Sequence, residues 1–169
     1  MNKLFTIIIA LAVVGTVSAF ALSPYFTEST IDDAIPTGAI IQLDMKDEMM
    51  KDDTMEKEMT MPMSFTGTFI GVGDGIHDAQ GDAYTIPLED GSDVLRLENF
   101  ISTNGPDLYV YLSTDDNASE FINLGELKAS KGNQNYEIPN DTDLNEYDKV
   151  LIWCKAFGVL FGSAELSSQ

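Results

Sequence analysis

The only cysteine, Cys154, and the only histidine, His77, are the side chains best suited to chemistry in this chain. A lone thiol cannot close an internal disulfide. It is a packed core residue, a reactive or ligating sulfur, or half of a bridge to another chain. Cys154 lies beside the only tryptophan, in Val150-Leu151-Ile152-Trp153-Cys154-Lys155-Ala156-Phe157. In an extended strand it shares one face with Ile152 and Ala156, while Trp153 shares the other with Leu151 and Lys155. Small and aliphatic neighbours point Cys154 toward a core. His77 stands in Gly75-Ile76-His77-Asp78-Ala79-Gln80-Gly81. It is either a loop imidazole bonded to Asp78 or to backbone, or a metal or haem ligand whose tautomer a nearby carboxylate sets.

One cysteine and one histidine exclude several sites. A blue-copper centre needs two histidines and a cysteine. A four-ligand zinc site of cysteines and histidines cannot form within one chain. No C-x-x-C-H is present, which excludes covalent c-type haem, while a haem b held by Cys154, His77 or both stays open. No G-x-S-x-G occurs, and Gly71-Val72-Gly73-Asp74-Gly75 lacks the ending of a phosphate loop. The chain is therefore not read as a stand-alone enzyme. Asp141-Thr142-Asp143-Leu144-Asn145 copies the start of a calcium loop, but Glu146 and Ile152 replace its turn glycine and bidentate glutamate. A third source of chemistry is a methionine tract, Met45, Met49, Met50, Met55, Met59, Met61 and Met63, whose thioethers suit Cu(I). The same residues are ordinary helix formers in a charged linker, or oxidant traps.

The elements that must position these groups divide the chain at about Ser64. Residues 1–22 begin with Met1-Asn2-Lys3 and run uncharged from Leu4 to Leu22. That is a signal peptide ending at Ala19-Phe20-Ala21, or an N-terminal membrane anchor. With Lys3 retained inside, both readings place the rest outside the cytoplasm, either anchored to the cell membrane facing outward or secreted after cleavage. Residues 23–63 are acidic, rich in methionine and poor in aromatic residues, and read as a linker. From residue 64 to 169, short alternating runs are punctuated by glycine, proline, asparagine and aspartate. Eight strands are expected: Phe65–Gly71, Gly81–Leu88, Val94–Glu98, Leu108–Leu112, Phe121–Leu127, Asn135–Ile138, Lys149–Phe157 and Val159–Leu166. The fold class is all-β. It is a single β-sandwich or jelly-roll-like domain of about eight short antiparallel strands, preceded by an N-terminal hydrophobic helix and a flexible linker. The net charge of −19 disfavours nucleic acid and anionic lipid as partners.

Several segments resemble the DM13 domain family. They are Phe65-Thr66-Gly67-Thr68-Phe69, His77-Asp78-Ala79-Gln80-Gly81-Asp82-Ala83, Leu95-Arg96-Leu97-Glu98-Asn99-Phe100, Gly105-Pro106-Asp107-Leu108-Tyr109-Val110-Tyr111-Leu112, and Trp153 to Gly162. They occur in the family's order and cover Ser64 to Leu166. The resemblance implies a β-sandwich-like domain in extracytoplasmic or membrane proteins, with a role in electron transfer. It also implies that Cys154 acts as a bare thiol or as ligand to a group such as haem, with His77 at the family's motif histidine. No second redox domain accompanies it here, so the electron partner is another protein, a redox or envelope protein. On this reading Cys154 and His77 approach each other or a shared pocket. The alternatives are a non-catalytic envelope binding module with Cys154 in its core, and Cu(I) handling by the methionine tract.

Overall fold

The computed structural model describes residues 28–40 and 65–168. The N-terminal hydrophobic run and the methionine tract lie outside the described residues. Eleven strands form: β1 (Thr30–Asp32), β2 (Phe65–Thr68), β3 (Ile70–Gly71), β4 (Ala79–Pro87), β5 (Asp93–Ser102), β6 (Leu108–Ser113), β7 (Phe121–Glu126), β8 (Lys131–Ile138), β9 (Lys149–Cys154), β10 (Val159–Glu165) and β11 (Ser167–Ser168). No helix forms among the described residues. Each of the eight expected strand segments contains a strand, the first split into β2 and β3.

The strands make two sheets, ordered β1-β8-β5-β4-β2-β11 and β3-β10-β9-β6-β7. They close on one core, to which the first sheet contributes Ala83, Leu95, Leu97, Phe100 and Tyr136, and the second Val110, Leu112, Val150, Ile152 and Phe161. Period-two alternation produces this. Leu95 and Leu97 face inward, while Arg96 between them turns to the outer face. There Arg96 stays buried because Asp33 O and Asn135 Oδ1 accept from its Nη1 at 3.0 and 2.9 Å, and Glu98 pairs with its Nε.

Residues 28–40 depart from the expected linker. Thr30–Asp32 adds a strand parallel to β8, so the first sheet is mixed rather than antiparallel. The Asp33 carboxylate accepts from Asn135 N at 3.0 Å and from Lys128 Nζ at 2.7 Å. Asn135 Nδ2 donates to Ala34 O at 2.7 Å, and Ser29 and Ser130 bond reciprocally. Gly132 makes the close approach feasible: its φ is +104°, and a Cβ there would collide with the carbonyl of Ile31. The segment then reaches β4, where Ile40 N donates to Pro87 O at 3.0 Å. The chain re-enters the described fold at Phe65, whose N donates to Thr85 Oγ1 at 3.2 Å. The tract between Ile40 and Phe65 therefore starts and ends two residues apart on β4. It is bracketed by the domain at both ends and does not link the domain to residues 1–22.

Strand direction defines two poles. β1, β4, β6, β8 and β10 begin at one pole, and β2, β3, β5, β7 and β9 end there. Ser29, His77, Pro106, Ser130 and Cys154 all belong to this end, hereafter the thiol pole. The β4–β5 hairpin at Glu89–Ser92, Ile40 and Phe65 belong to the other.

Candidate functional site: a buried thiol and a loop histidine at one pole

β9 ends at Cys154, three residues earlier than the alternation suggests, because Lys155–Gly158 makes the turn into β10. Gly158 N donates to Cys154 O at 2.8 Å to close that turn, with Gly158 at φ +63°. Ala156 thus leaves the face it was expected to share with Cys154 and is exposed in the turn. Cys154 itself faces the core beside Ile152 and is 1% exposed. Its Sγ donates to Pro106 O at 3.0 Å. Lys155 N donates to Asp107 O at 3.0 Å, so the β5–β6 loop is tied across the thiol from both sides.

Phe161 is the extra residue of a bulge in β10 between Leu160 and Gly162, and it turns inward, 3% exposed. Gly105 leaves it room, because a Cβ there would stand 2.6 Å from Phe161 Cζ. The Phe161 ring also carries His77, at 4.5 Å between centroids and a tilt of 58°. His77 and Cys154 therefore occupy the same pole and are bridged by Phe161 and the Gly105-Pro106 backbone. No hydrogen bond joins them.

Asp74, not Asp78, is the partner of His77. Its Oδ2 lies 2.6 Å from Nδ1, and its Oδ1 accepts from the backbone N of His77 at 2.7 Å and of Ile76 at 2.8 Å. These backbone donors, then the imidazole, hold the Asp74 carboxyl down at about 2. The ionised carboxylate calls for a hydrogen on Nδ1. Asp78 instead accepts from Gln80 Nε2 at 2.7 Å.

The pole is further braced by a buried network. Gln134 bonds both N and O of Ala129, and the Tyr136 hydroxyl bonds Gln134 Oε1 at 2.8 Å and accepts from Lys128 N at 3.1 Å. Burial raises the Tyr136 hydroxyl well above its ordinary value. On the outer face, Trp153 is half-buried opposite Tyr109, and Lys155 Nζ stands 4.9 Å over the Tyr109 ring. Tyr111 stacks on Phe121 at 4.3 Å.

The side chains at this pole do not fit a haem or metal shared by Cys154 and His77. The thiol is 1% exposed and donates to Pro106 O, and the Phe161 ring packs against the imidazole. A cleft of about 610 Å³ opens nearby, bordered by Ser29, Pro106, Asp107, Leu108, Ser130 and Ala156, but neither Cys154 nor His77 lines it. Among the described residues no group of three or more histidine, cysteine, aspartate or glutamate side chains is placed to hold a metal ion.

An all-β domain of two sheets, with one buried thiol under a loop at its end, is the class of protein that fold and site define. The family model for electron transfer DM13 matches residues 69–166, and the chain belongs to that family. No curated protein and no solved structure matches the chain.

Sequence reasoning placed Cys154 and His77 but missed Asp74, Pro106 and Phe161. The Asp74-to-His77 spacing of three was a usable signal, since an aspartate carboxylate reaches the backbone N–H groups two and three residues on. Pro106 acts through its carbonyl, which no side-chain pattern reveals.

Proposed function

We propose that this chain is an extracytoplasmic electron-transfer domain, tethered through residues 1–22, in which Cys154 is the redox group. Membership of the electron-transfer family supports the activity. The observation that carries the assignment to Cys154 is its setting: one loop, Thr103–Asp107, lies against the thiol, and Sγ donates one bond to it, to Pro106 O. Displacing that loop exposes Sγ without unfolding the sheets.

The chemistry open to such a thiol is exchange with a partner protein's disulfide. The proton on Sγ passes to solvent as the Pro106 contact is lost. The thiolate then attacks one sulfur of the partner's disulfide. That S–S bond breaks, a new one forms to Cys154, and the second partner sulfur leaves as a thiolate. The Cys154 sulfur rises from the thiolate to the disulfide level as the departing partner sulfur falls from the disulfide to the thiolate level, and a second thiol of the partner protein must resolve the mixed disulfide to complete the transfer. His77 serves this site by position, packing on Phe161 and anchoring the β3–β4 loop through Asp74.

The second reading is an envelope binding module with Cys154 as core filling. Its specific support is the 1% exposure of Cys154 and its satisfied thiol. Thiol labelling of the native full chain, followed by intact mass beside Cys154→Ser, separates the two. Labelling much faster than global unfolding supports the redox thiol. Labelling only at the unfolding rate leaves the core reading.

A further inference from the structure

We infer that the thiol pole is a membrane-facing surface, whose loop tips Ile76 and Phe157 enter the headgroup region of the bilayer. The inference rests on residues 4–22 being a retained anchor. It adds which end of the domain meets the lipid and by which residues.

The first ground is the placement of exposed apolar side chains. Eight large hydrophobic residues are exposed among the described residues, and five of them, Ile70, Val72, Ile76, Ile101 and Phe157, stand at or beside the thiol pole. Ile76 is 71% exposed in the β3–β4 loop, and Phe157 is 72% exposed in the β9–β10 turn. Core packing accounts for neither. Each sits at a tip held rigidly from below, Ile76 by the Asp74 carboxylate bonded to its own N, and Phe157 by the turn closed between Cys154 and Gly158. Apolar side chains on fixed tips at one end of a β-domain suit an interface where one side is apolar and the other wet.

The second ground is the path of the chain. Ser29 bonds Ser130 at the thiol pole, and β1 runs away from that pole. The six residues 23–28 separate Ser29 from the end of the uncharged run at Leu22. Fully extended, they span about 22 Å at most. The ten residues of β5 carry the opposite pole a further distance of about 34 Å. The methionine tract cannot lengthen this tether, because the docked segment 28–40 precedes it. The same pole that exposes the apolar tips is thus the one held against the bilayer. With a net charge of −19, the attraction is apolar rather than ionic, so zwitterionic lipid is the surface that fits.

The test uses the full chain in phosphatidylcholine vesicles with brominated acyl chains. In a Trp153→Phe background, a single tryptophan is introduced by Phe157→Trp, by Ile76→Trp, or at the opposite pole by Asp90→Trp. Quenching and a blue shift at the first two positions, without either at the third, are expected, and both weaken as phosphatidylglycerol replaces phosphatidylcholine. Equal behaviour at all three positions overturns the inference. Should Trp153→Phe unfold the chain, amide exchange of the 155–158 turn in the native sequence decides instead. Protection gained on vesicles supports the inference, and unchanged exchange overturns it. Intact mass separates failure of the anchor reading from failure of the docking. If residues 1–22 prove absent, flotation of the shortened chain with the same vesicles, abolished by Phe157→Asp, keeps the docking surface; no flotation overturns it.

Discussion

The two poles of the domain are built on different terms. At the opposite pole the turns are polar and self-satisfied. Asp90 accepts from Ser92 N and Oγ in the β4–β5 hairpin, Asp115 accepts from Asn117 N and Ser119 N, and Asp143 accepts from Asn145 N. These aspartates cap their own loops, although the β4–β5 hairpin also leans on residues 38–40, Glu89 N donating to Gly38 O at 2.8 Å. At the thiol pole the turns depend on one another. Cys154 is held by the β5–β6 loop, His77 leans on Phe161 from β10, and Phe161 needs the missing side chain of Gly105. Ser130 depends on Ser29, one hundred and one residues away. Turns capped by their own side chains close the fold, whereas a pole of interlocked ones can move as a unit. That second property is what a thiol under a loop requires if it is ever to meet a partner.

Phe161→Ala should give the largest effect. Removing a buried ring costs about 3–5 kcal/mol, and here it also unseats His77 and slackens the Gly105-Pro106 loop. Denaturant unfolding should show the loss, and thiol labelling of Cys154 should accelerate by more than that loss alone explains. Leu144→Ala, also buried but at the opposite pole, is the matched control. It should destabilise without speeding labelling relative to unfolding. Equal labelling gains in both variants would erase the distinction between the poles.

Gly132→Ala comes next. The added Cβ meets the Ile31 carbonyl at a backbone φ of +104°, a strain of about 1–3 kcal/mol. The expected outcome is release of residues 28–40 from β8, read as proteolytic cleavage within that segment while the remaining strands of both sheets stay paired. A segment that remains protected would mean that the side-chain bonds of Asp33 and Asn135 hold it without the strand pairing.

The smallest effect is local and pH-dependent. The folded value of Asp74, about 2, lies below its ordinary value of 3.8. The stabilisation it lends the β3–β4 loop is fully present above pH 3.8 and is lost as pH falls through about 2. Amide resonances of Ile76 and His77 should therefore hold steady through pH 3.8 and shift as pH falls through about 2. Asp74→Asn should remove that step, and a step that persists in the variant would assign it to another carboxyl.

Much of this arrangement was readable beforehand. The Leu95-Arg96-Leu97-Glu98 alternation placed leucines in the core and charges outside, and Ile152 with Cys154 did point inward together. Strand existence was legible because half-buried sheets impose a period of two on side chains. Strand ends were less so. β9 stops at Cys154 because a turn closes there through a backbone bond, and the apolar run continuing to Phe157 conceals this. β1 is three residues long and carries no alternation worth reading. It exists because groups about a hundred residues further along, Ser130, Gly132, Asn133 and Asn135, are shaped to receive it.

The sequence alone determined the all-β class, the eight principal strand segments, the uniqueness of the thiol and imidazole, and the sign of the surface charge. Each of these is a property of residue type or of local period. Tertiary structure decided that Asp74 rather than Asp78 holds His77, that Phe161 packs against His77, and that Pro106 O holds the thiol. It also decided that Ile40 and Phe65, the described residues on either side of the methionine tract, bond to β4 at the pole opposite Cys154. These facts depend on backbone carbonyls, bulges and contacts between distant segments, which have no coordinates until the sheets close on their core.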